Sequence, residues 1–271
     1  MNLSSSEKKR LLCKYGTWAV VTGASSGMGR EIAVLLARAG FKLILTARRQ
    51  QQLEALAAEL KTNYQTEARV IEADLSREEE NQSVMDATRD LDVGLLVAAA
   101  GYGTSGDFLK SSLSEELNML ELNCVSLFRL THHFSLRFQE RGRGGIIFLS
   151  SIVAFQGVPY AAHYAATKAY VQSLAEALSV ELKPFGIDVL AAAPAPVDSD
   201  FAERAGMQMN LAMKPSEVPL PVLKALGRKT TVLPGFLTKF LVSSLRTLPR
   251  WGKIRVMKLV MGGMTAQKRG V

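Results

Sequence analysis

Short apolar runs of strand length alternate along this chain with stretches whose apolar residues recur at helical spacing. That alternation restricts the fold more than any other feature. Thr17–Thr22 (TWAVVT) and Phe41–Thr46 (FKLILT) are two such runs, and between them Ile32, Leu35, Leu36 and Ala39 fall on one helical face. Gly40 follows, as glycine does where a helix ends in a left-handed residue. Leu53, Leu56, Ala57 and Leu60 mark the next amphipathic helix. Further strands are predicted at 68–73, 94–99, 145–150, 186–192 and 230–233, with helices over 76–91, 113–140, 160–183 and 216–226. Ser76 and Glu79 read as a capping box at the start of the 76–91 helix. Runs that are apolar throughout belong to a parallel sheet covered on both faces, and parallel neighbours need right-handed crossovers. The expectation is an α/β fold built on a single doubly wound parallel sheet, with helices on both faces.

At 271 residues, 48% apolar and 21% charged, the chain has the composition of a globular protein and excludes disorder. The expected organisation is an N-terminal arm or short helix (1–16), one α/β domain (17–234) and a C-terminal extension (235–271). Cys13 and Cys124 are too few and too far apart for a disulfide scaffold or a C-x-x-C site, which predicts structural thiols in a reducing compartment. Three histidines, with no clustered set of Cys and His, predict no metal site. The first residues lack an apolar stretch of signal-peptide length, and no apolar run is long enough to span a bilayer, so a cytoplasmic location is expected. Charge is unevenly spread. Residues 1–217 hold 22 Lys and Arg against 25 Asp and Glu, whereas 218–271 hold 11 basic residues and no acidic one. The basic pI therefore describes a tail and does not imply a nucleic-acid partner.

Chemistry enters with the turn Thr22-Gly23-Ala24-Ser25-Ser26-Gly27-Met28-Gly29, between the first strand and first helix. Glycines let backbone N–H groups approach a pyrophosphate, and the helix N-terminus offers it partial positive charge. An NAD site of this layout carries an acid at the end of the second strand, for the ribose 2′-hydroxyl. Here that strand ends Thr46-Ala47-Arg48-Arg49. Two guanidinium groups suit a 2′-phosphate, so the cofactor expected is NADP(H).

Tyr164 and Lys168 lie four residues apart, on one face of a predicted helix. A lysine ammonium beside a phenol favours the phenolate, which predicts a tyrosine with a lowered pKa, usable as a general acid–base. Ser151, thirteen residues upstream, follows an apolar strand and can reach the same site.

With TGASSGMG (22–29), Asp74-Leu75, Ala100-Gly101, Asn123, Ser151, Tyr164 with Lys168, and Pro194 with Val197, the sequence closely resembles the compact branch of the short-chain dehydrogenase/reductase family. The resemblance runs by motif from about Thr17 to Pro196. It implies a Rossmann-type fold and a hydride transfer between nicotinamide and a carbonyl or alcohol. It implies that Tyr164 donates or accepts the proton, that Lys168 lowers the tyrosine pKa and binds the nicotinamide ribose, and that Ser151 holds the substrate oxygen. Asn123 would support a water chain to Lys168. Gly23, Ser25, Ser26, Gly27, Met28 and Gly29 would cradle the pyrophosphate, and Arg48 and Arg49 would take the 2′-phosphate. Asp74 and Leu75 would meet the adenine, Ala100 and Gly101 would follow the fourth strand beside the cofactor, and Pro194 and Val197 would lie along the nicotinamide. Two positions depart from the family pattern. Val97-Ala98-Ala99-Ala100-Gly101 lacks the usual asparagines, which removes a side-chain brace between strands, and Ala195 replaces the usual glycine after Pro194.

The segment 198–214 is expected to be a lid. Its Phe201, Met207, Met209, Leu211 and Met213 either line a pocket for a hydrophobic or bulky substrate or pack beneath the lid. Beyond it, Phe236, Leu237, Phe240, Leu241, Leu245 and Leu248 form one side of an amphipathic helix that also carries Lys239, Arg246 and Arg250; Trp251 and the segment 253–260 continue the pattern. Three roles are open to this tail: packing on the domain or a second subunit, attachment to an anionic membrane surface, or docking of an acidic carrier protein. An alanine-rich 160–183 helix fits a homo-oligomer. The leading expectation is an NADP(H)-dependent oxidoreductase. The rival is a catalytically silent NADP(H)-binding sensor or scaffold, against which stands the complete Asn, Ser, Tyr and Lys set.

Overall fold

Strands apolar on both faces have to lie between two helical layers, and the strands of this chain do so. In the computed structural model, which describes residues 2–198, 200–208 and 212–266, β1 (Trp18–Thr22), β2 (Lys42–Ala47), β3 (Ala68–Glu72), β4 (Val93–Ala98), β5 (Gly144–Leu149), β6 (Ile187–Ala192) and β7 (Thr231–Val232) form one parallel sheet in the order β3-β2-β1-β4-β5-β6-β7. The helices are α1 (Ser5–Tyr15), α2 (Gly27–Ala39), α3 (Gln50–Tyr64), α4 (Glu78–Asp86), α5 (Leu113–Leu120), α6 (Leu127–Arg141), α7 (Ala162–Glu181), α8 (Asp200–Ala205), α9 (Pro219–Ala225), α10 (Phe236–Arg246) and α11 (Arg250–Met264).

Alternate strand residues feed opposite layers, as the period of two requires. Ala19, Val21, Leu43, Leu45, Leu95 and Val97 pack with Ile32, Leu36, Leu53 and Val222 from α2, α3 and α9. Val20, Ile44, Leu96, Ile146 and Phe148 pack with Val84, Phe134, Phe138 and Val171 from α4, α6 and α7. The doubly wound expectation holds, and every predicted strand appears with its ends within about two residues. Neighbour order reverses between β1 and β4, which opens a crevice at the carboxyl ends of the strands.

Three local readings need correction. Ser76 and Glu79 do not form a capping box: Arg77 precedes α4 without a side-chain cap, and the Ser76 hydroxyl turns back to Asp74 Oδ1 at 2.8 Å. The 113–140 helix is broken by a π turn at Glu121–Ser126, which separates α5 from α6. The extension is two helices, α10 and α11, and its apolar side divides: Leu241 and Leu245 turn inward, while Phe236, Phe240 and Leu248 stay exposed. The Leu237 and Arg246 side chains, Met209 and Leu211 lie outside the described residues. Among the described residues no helix is long and apolar enough to cross a membrane.

Residues 2–16 are firmly attached. Tyr15 is fully buried and donates from its hydroxyl to Asp188 Oδ2 at 2.7 Å, and Arg10 bonds the carbonyls of Leu223 and Leu226 at 2.9 and 2.8 Å. The β1–β4 register skips Gly94, where an added Cβ would collide with the Tyr15 carbonyl. Gly94→Ala should therefore lower stability by about 2 kcal/mol or more, measured by urea unfolding.

Candidate active site

The glycine turn is shaped by close backbone approach. Gly23 has φ +64° and Gly27 φ +56°, and a Cβ on Gly29 would strike the Gly23 carbonyl. The first turn of α2 begins on Gly27, Met28 and Gly29, all of which line the crevice. The Thr22 hydroxyl accepts from the Ala99 and Ala100 N–H groups at 3.0 and 2.9 Å. The loop after β4 is thus braced from β1, although it lacks the asparagines of the family pattern.

The crevice, about 380 Å³, is lined by all twelve of the residues expected on its adenosine and pyrophosphate side: Gly23, Ser25, Ser26, Gly27, Met28, Gly29, Arg48, Arg49, Asp74, Leu75, Ala100 and Gly101. Arg49 is turned inward to the loop, donating to Ser26 Oγ at 2.6 Å and Ser25 Oγ at 3.1 Å. The Arg48 side chain is exposed at the rim. The Asp74 N–H is taken by the Glu80 carboxylate and its Oδ1 by Ser76, which fixes the loop after β3. Buried Asn81 holds the same loop, donating to the Leu75 carbonyl at 2.7 Å while accepting from Ser126 Oγ at 2.7 Å. Backbone donors at a helix start and guanidinium groups at the far rim suit a nicotinamide dinucleotide in charge and shape.

At the end of β5 the chain places Ser150 and Ser151 side by side, with opposite roles. The Ser150 hydroxyl is buried and donates to the Lys168 carbonyl at 3.3 Å. The Ser151 hydroxyl accepts from the Val153 N–H at 3.4 Å and lines the same cavity as the Tyr164 phenol, near enough to favour its ionised form. Lys168 lies one turn along α7 from Tyr164, with its Nζ 5.9 Å from the phenol ring centroid and donating to the Leu149 carbonyl at 2.8 Å. Asn123, in the π turn, accepts from the Tyr102 N–H at 3.1 Å and donates to the Tyr102 carbonyl at 2.8 Å and Thr167 Oγ1 at 3.1 Å. It lines neither cavity, and its amide fastens the loop after β4 to α7. A π turn at such a place aims a side chain that a regular helix would misdirect.

Burial pushes the Tyr164 phenol above its ordinary value, and the neighbouring Ser151 hydroxyl opposes that rise; Lys168 Nζ is held at the Leu149 carbonyl. Burial brings Lys168 down to about 8. Both groups lie in a region dry enough to disfavour charge.

A second cavity, about 240 Å³, opens from the first. Met28, Ala99, Gly101, Leu149 and Phe201 line both. Ser151, Tyr164, Lys168, Pro194 and Val197 line the second, and its walls are otherwise almost wholly apolar. The lid contributes Phe201, whose ring lies 5.2 Å from that of Tyr164, and Met207. Gly103 makes room, since a Cβ there would meet both rings. Val197 and Met213 pair as a short parallel bridge. One wall comes from the tail: Leu241 and Leu245 of α10, and Val256, Met257, Met261 and Met264 of α11. Thr238 of α10, fully buried, accepts from the Ala195 N–H at 3.0 Å and ties the tail to the loop after β6.

Three features escaped the sequence reading. Arg204, from α8, stacks 3.6 Å over the Tyr102 ring and lines the crevice, close enough to feel the Arg48 charge. A lone arginine in an apolar lid carried no signal of this. Nor did the pattern of α10 and α11 say what they would pack against. Tyr160, φ +65°, lines a separate surface cavity with His163 and Phe108, and His163 is paired with Glu116 at 2.7 Å.

Comparison with known proteins agrees with this geometry. The sequence profile of short chain dehydrogenases matches residues 17–210. A 7beta-hydroxysteroid dehydrogenase of Clostridium sardiniense is 32% identical over 230 residues, covering 83% of this chain and 88% of that protein. A solved structure of a 7beta-hydroxysteroid dehydrogenase superposes with TM-score 0.84 at 26% identity, over 91% of this chain and 98% of that one. A short-chain dehydrogenase from Sphingobium yanoikuyae, solved in complex with NADPH, gives TM-score 0.78 at 30% identity, over 86% and 97%.

Lys168 also has a testable cost. Its folded value of about 8 lies below the ordinary 10.5, so the penalty for burying the ammonium is fully present below pH 8 and fades as pH rises toward 10.5. Lys168→Met should melt at a higher temperature than the wild type at pH 6.5, with the gap closing by pH 10 in a calorimetric series.

Proposed function

The chain belongs to the short-chain dehydrogenase family, and from that premise we propose that it is an NADP(H)-dependent oxidoreductase that reduces a bulky, hydrophobic ketone or aldehyde to its alcohol. The observation carrying this reading is the junction of two cavities beside one hydroxyl pair. A polar crevice with cationic rims joins a nearly apolar chamber along Met28, Ala99, Gly101, Leu149 and Phe201, and Ser151 and Tyr164 line the chamber.

A bound dinucleotide would supply the hydride, delivered to a carbonyl carbon while charge develops on its oxygen. Ser151 and Tyr164 present their hydroxyls to that oxygen, and Tyr164 gives up the proton that completes the alcohol. A phenol pushed up by burial stays protonated at neutral pH, the state a proton donor needs. Its proton becomes transferable as negative charge builds on the oxygen it touches. Lys168 keeps a positive charge beside the developing phenolate at neutral pH, below its value of about 8. Asn123 acts by holding Tyr102 and α7 in place.

Arg48 at the rim, with Arg204 nearby and no acid at the end of β2, supports the phosphorylated cofactor; so does the NADPH complex of the Sphingobium relative. The apolar chamber, with methionines able to reshape around different ligands, supports a bulky substrate, in line with the steroid name of the Clostridium relative. Exposed Leu113, Leu117 and Leu120 on α5, with Phe128 and Leu136 on α6, support burial against a second copy of the chain.

Tyr164→Phe should reduce turnover of a bulky ketone by about a thousandfold, with NADPH binding unchanged by fluorescence titration; wild-type turnover in that variant would overturn the proton-donor role. Arg48→Asp should shift the NADPH-to-NADH ratio of kcat/KM by roughly 10- to 100-fold toward NADH, the equivalent of one charge-assisted hydrogen bond.

A further inference from the structure

The apolar chamber reaches the surface between the two tail helices. Among its lining residues the exposed ones are Gly101, where it joins the crevice, Ser244 on α10 and Val260 on α11. The surface around Ser244 and Val260 is unlike the rest of the protein. Phe240 lies one turn before Ser244 and Phe236 one turn before that, 59% and 84% exposed, with their rings stacked at 6.4 Å. On α11, Trp251 and Leu259 are 63% and 79% exposed. Between these apolar groups stand the exposed cations Lys239, Arg250, Arg255 and Lys258, with Lys253 half-buried. None of these five cations makes an ion pair among the described residues, and residues 218–271 contain no acid at all. The Arg255 guanidinium lies 5.0 Å over the Trp251 ring.

We propose that α10 and α11 dock on an anionic lipid bilayer, and that bilayer-dissolved substrate passes between them into the chamber. Charge complementarity selects this occupant. Aromatic and aliphatic side chains interleaved with unpaired cations match the headgroup region of an anionic leaflet, where rings enter the interface and cations meet phosphates. A second copy would set the same five cations against themselves, which opposes a self-complementary contact. Docking stands on the surface alone; the entry route rests on the substrate reading above.

The test is flotation of the full chain with vesicles of phosphatidylcholine mixed with phosphatidylglycerol, against phosphatidylcholine alone, at low and raised salt. The protein should float with the anionic vesicles only and release as salt screens the contact. The triple variant Lys239→Glu, Arg255→Glu, Lys258→Glu should lose about a hundredfold in partitioning, since each cation near an anionic surface is worth roughly fivefold. It should keep the wild-type melting temperature and its turnover of a small water-soluble ketone. Turnover of a long-chain ketone carried in anionic vesicles should fall in that variant. Absence of flotation, or equal flotation with neutral vesicles, overturns the docking. A dimer dissociated by Phe240→Ser would assign the face to a second copy and also overturn it. Flotation by a protein inactive on every ketone would refute the oxidoreductase reading and the entry route while leaving the docking intact.

Discussion

One hydrogen bond organises the candidate site. Lys168 Nζ donates to the Leu149 carbonyl at 2.8 Å, joining α7 to the last residue of β5. Ser151 follows that strand two residues later, and Tyr164 stands one turn before the lysine. A single contact between helix and strand end therefore sets how the serine and the phenol face each other. The Ser150 hydroxyl repeats the connection from the strand side, at the Lys168 carbonyl. Asn123 repeats it from the π turn, through Thr167. Three buried polar links hold the two hydroxyls in a largely apolar region. Their partners are satisfied inside the protein, so the arrangement is rigid before any ligand arrives.

The same dryness that makes the links strong sets the protonation states. A buried phenol keeps its proton and a buried ammonium is poised to lose its own near pH 8. Neither state favours stability, and both suit transfer of a proton to an oxygen that is gaining charge. Such a site spends folding energy on chemistry, which is the usual relation between active-site residues and stability.

Much of this was legible in the sequence, for identifiable reasons. A sheet buried on both faces writes itself as runs such as Val93–Ala98, and a crossover helix as a stripe such as Leu53, Leu56 and Leu60. Tyr164 and Lys168 were legible because a helix fixes which residues share a face, and Ser151 because an apolar strand ends just before it. What escaped depends on distance in space. Nothing near Lys168 in the chain marks the Leu149 carbonyl as its partner. The stripe of α10 shows that one side is buried, yet leaves open that Leu241 and Leu245 would wall a chamber while Phe236 and Phe240 face outward. Arg204 reached the crevice through the path of the lid. The capping box at Ser76 failed because Asp74, two residues earlier, competed for the same hydroxyl.

The tail gives the fold its individual character, because it completes a chamber that the sheet and lid leave open on one side. Thr238 fastens it to the loop after β6, and the Gln208 N–H fastens the lid to the end of α11 through the Met264 carbonyl at 2.9 Å. The central claim is that this enclosed hydroxyl pair performs a carbonyl reduction. It is tested most directly with NADPH carrying deuterium on both C4 positions and a bulky apolar ketone, the product being analysed by mass spectrometry. One deuterium per molecule should appear at the carbinol carbon. Retention of the label on the cofactor, with the dinucleotide bound and no alcohol formed from any ketone offered, would contradict the account and leave a binding protein in its place.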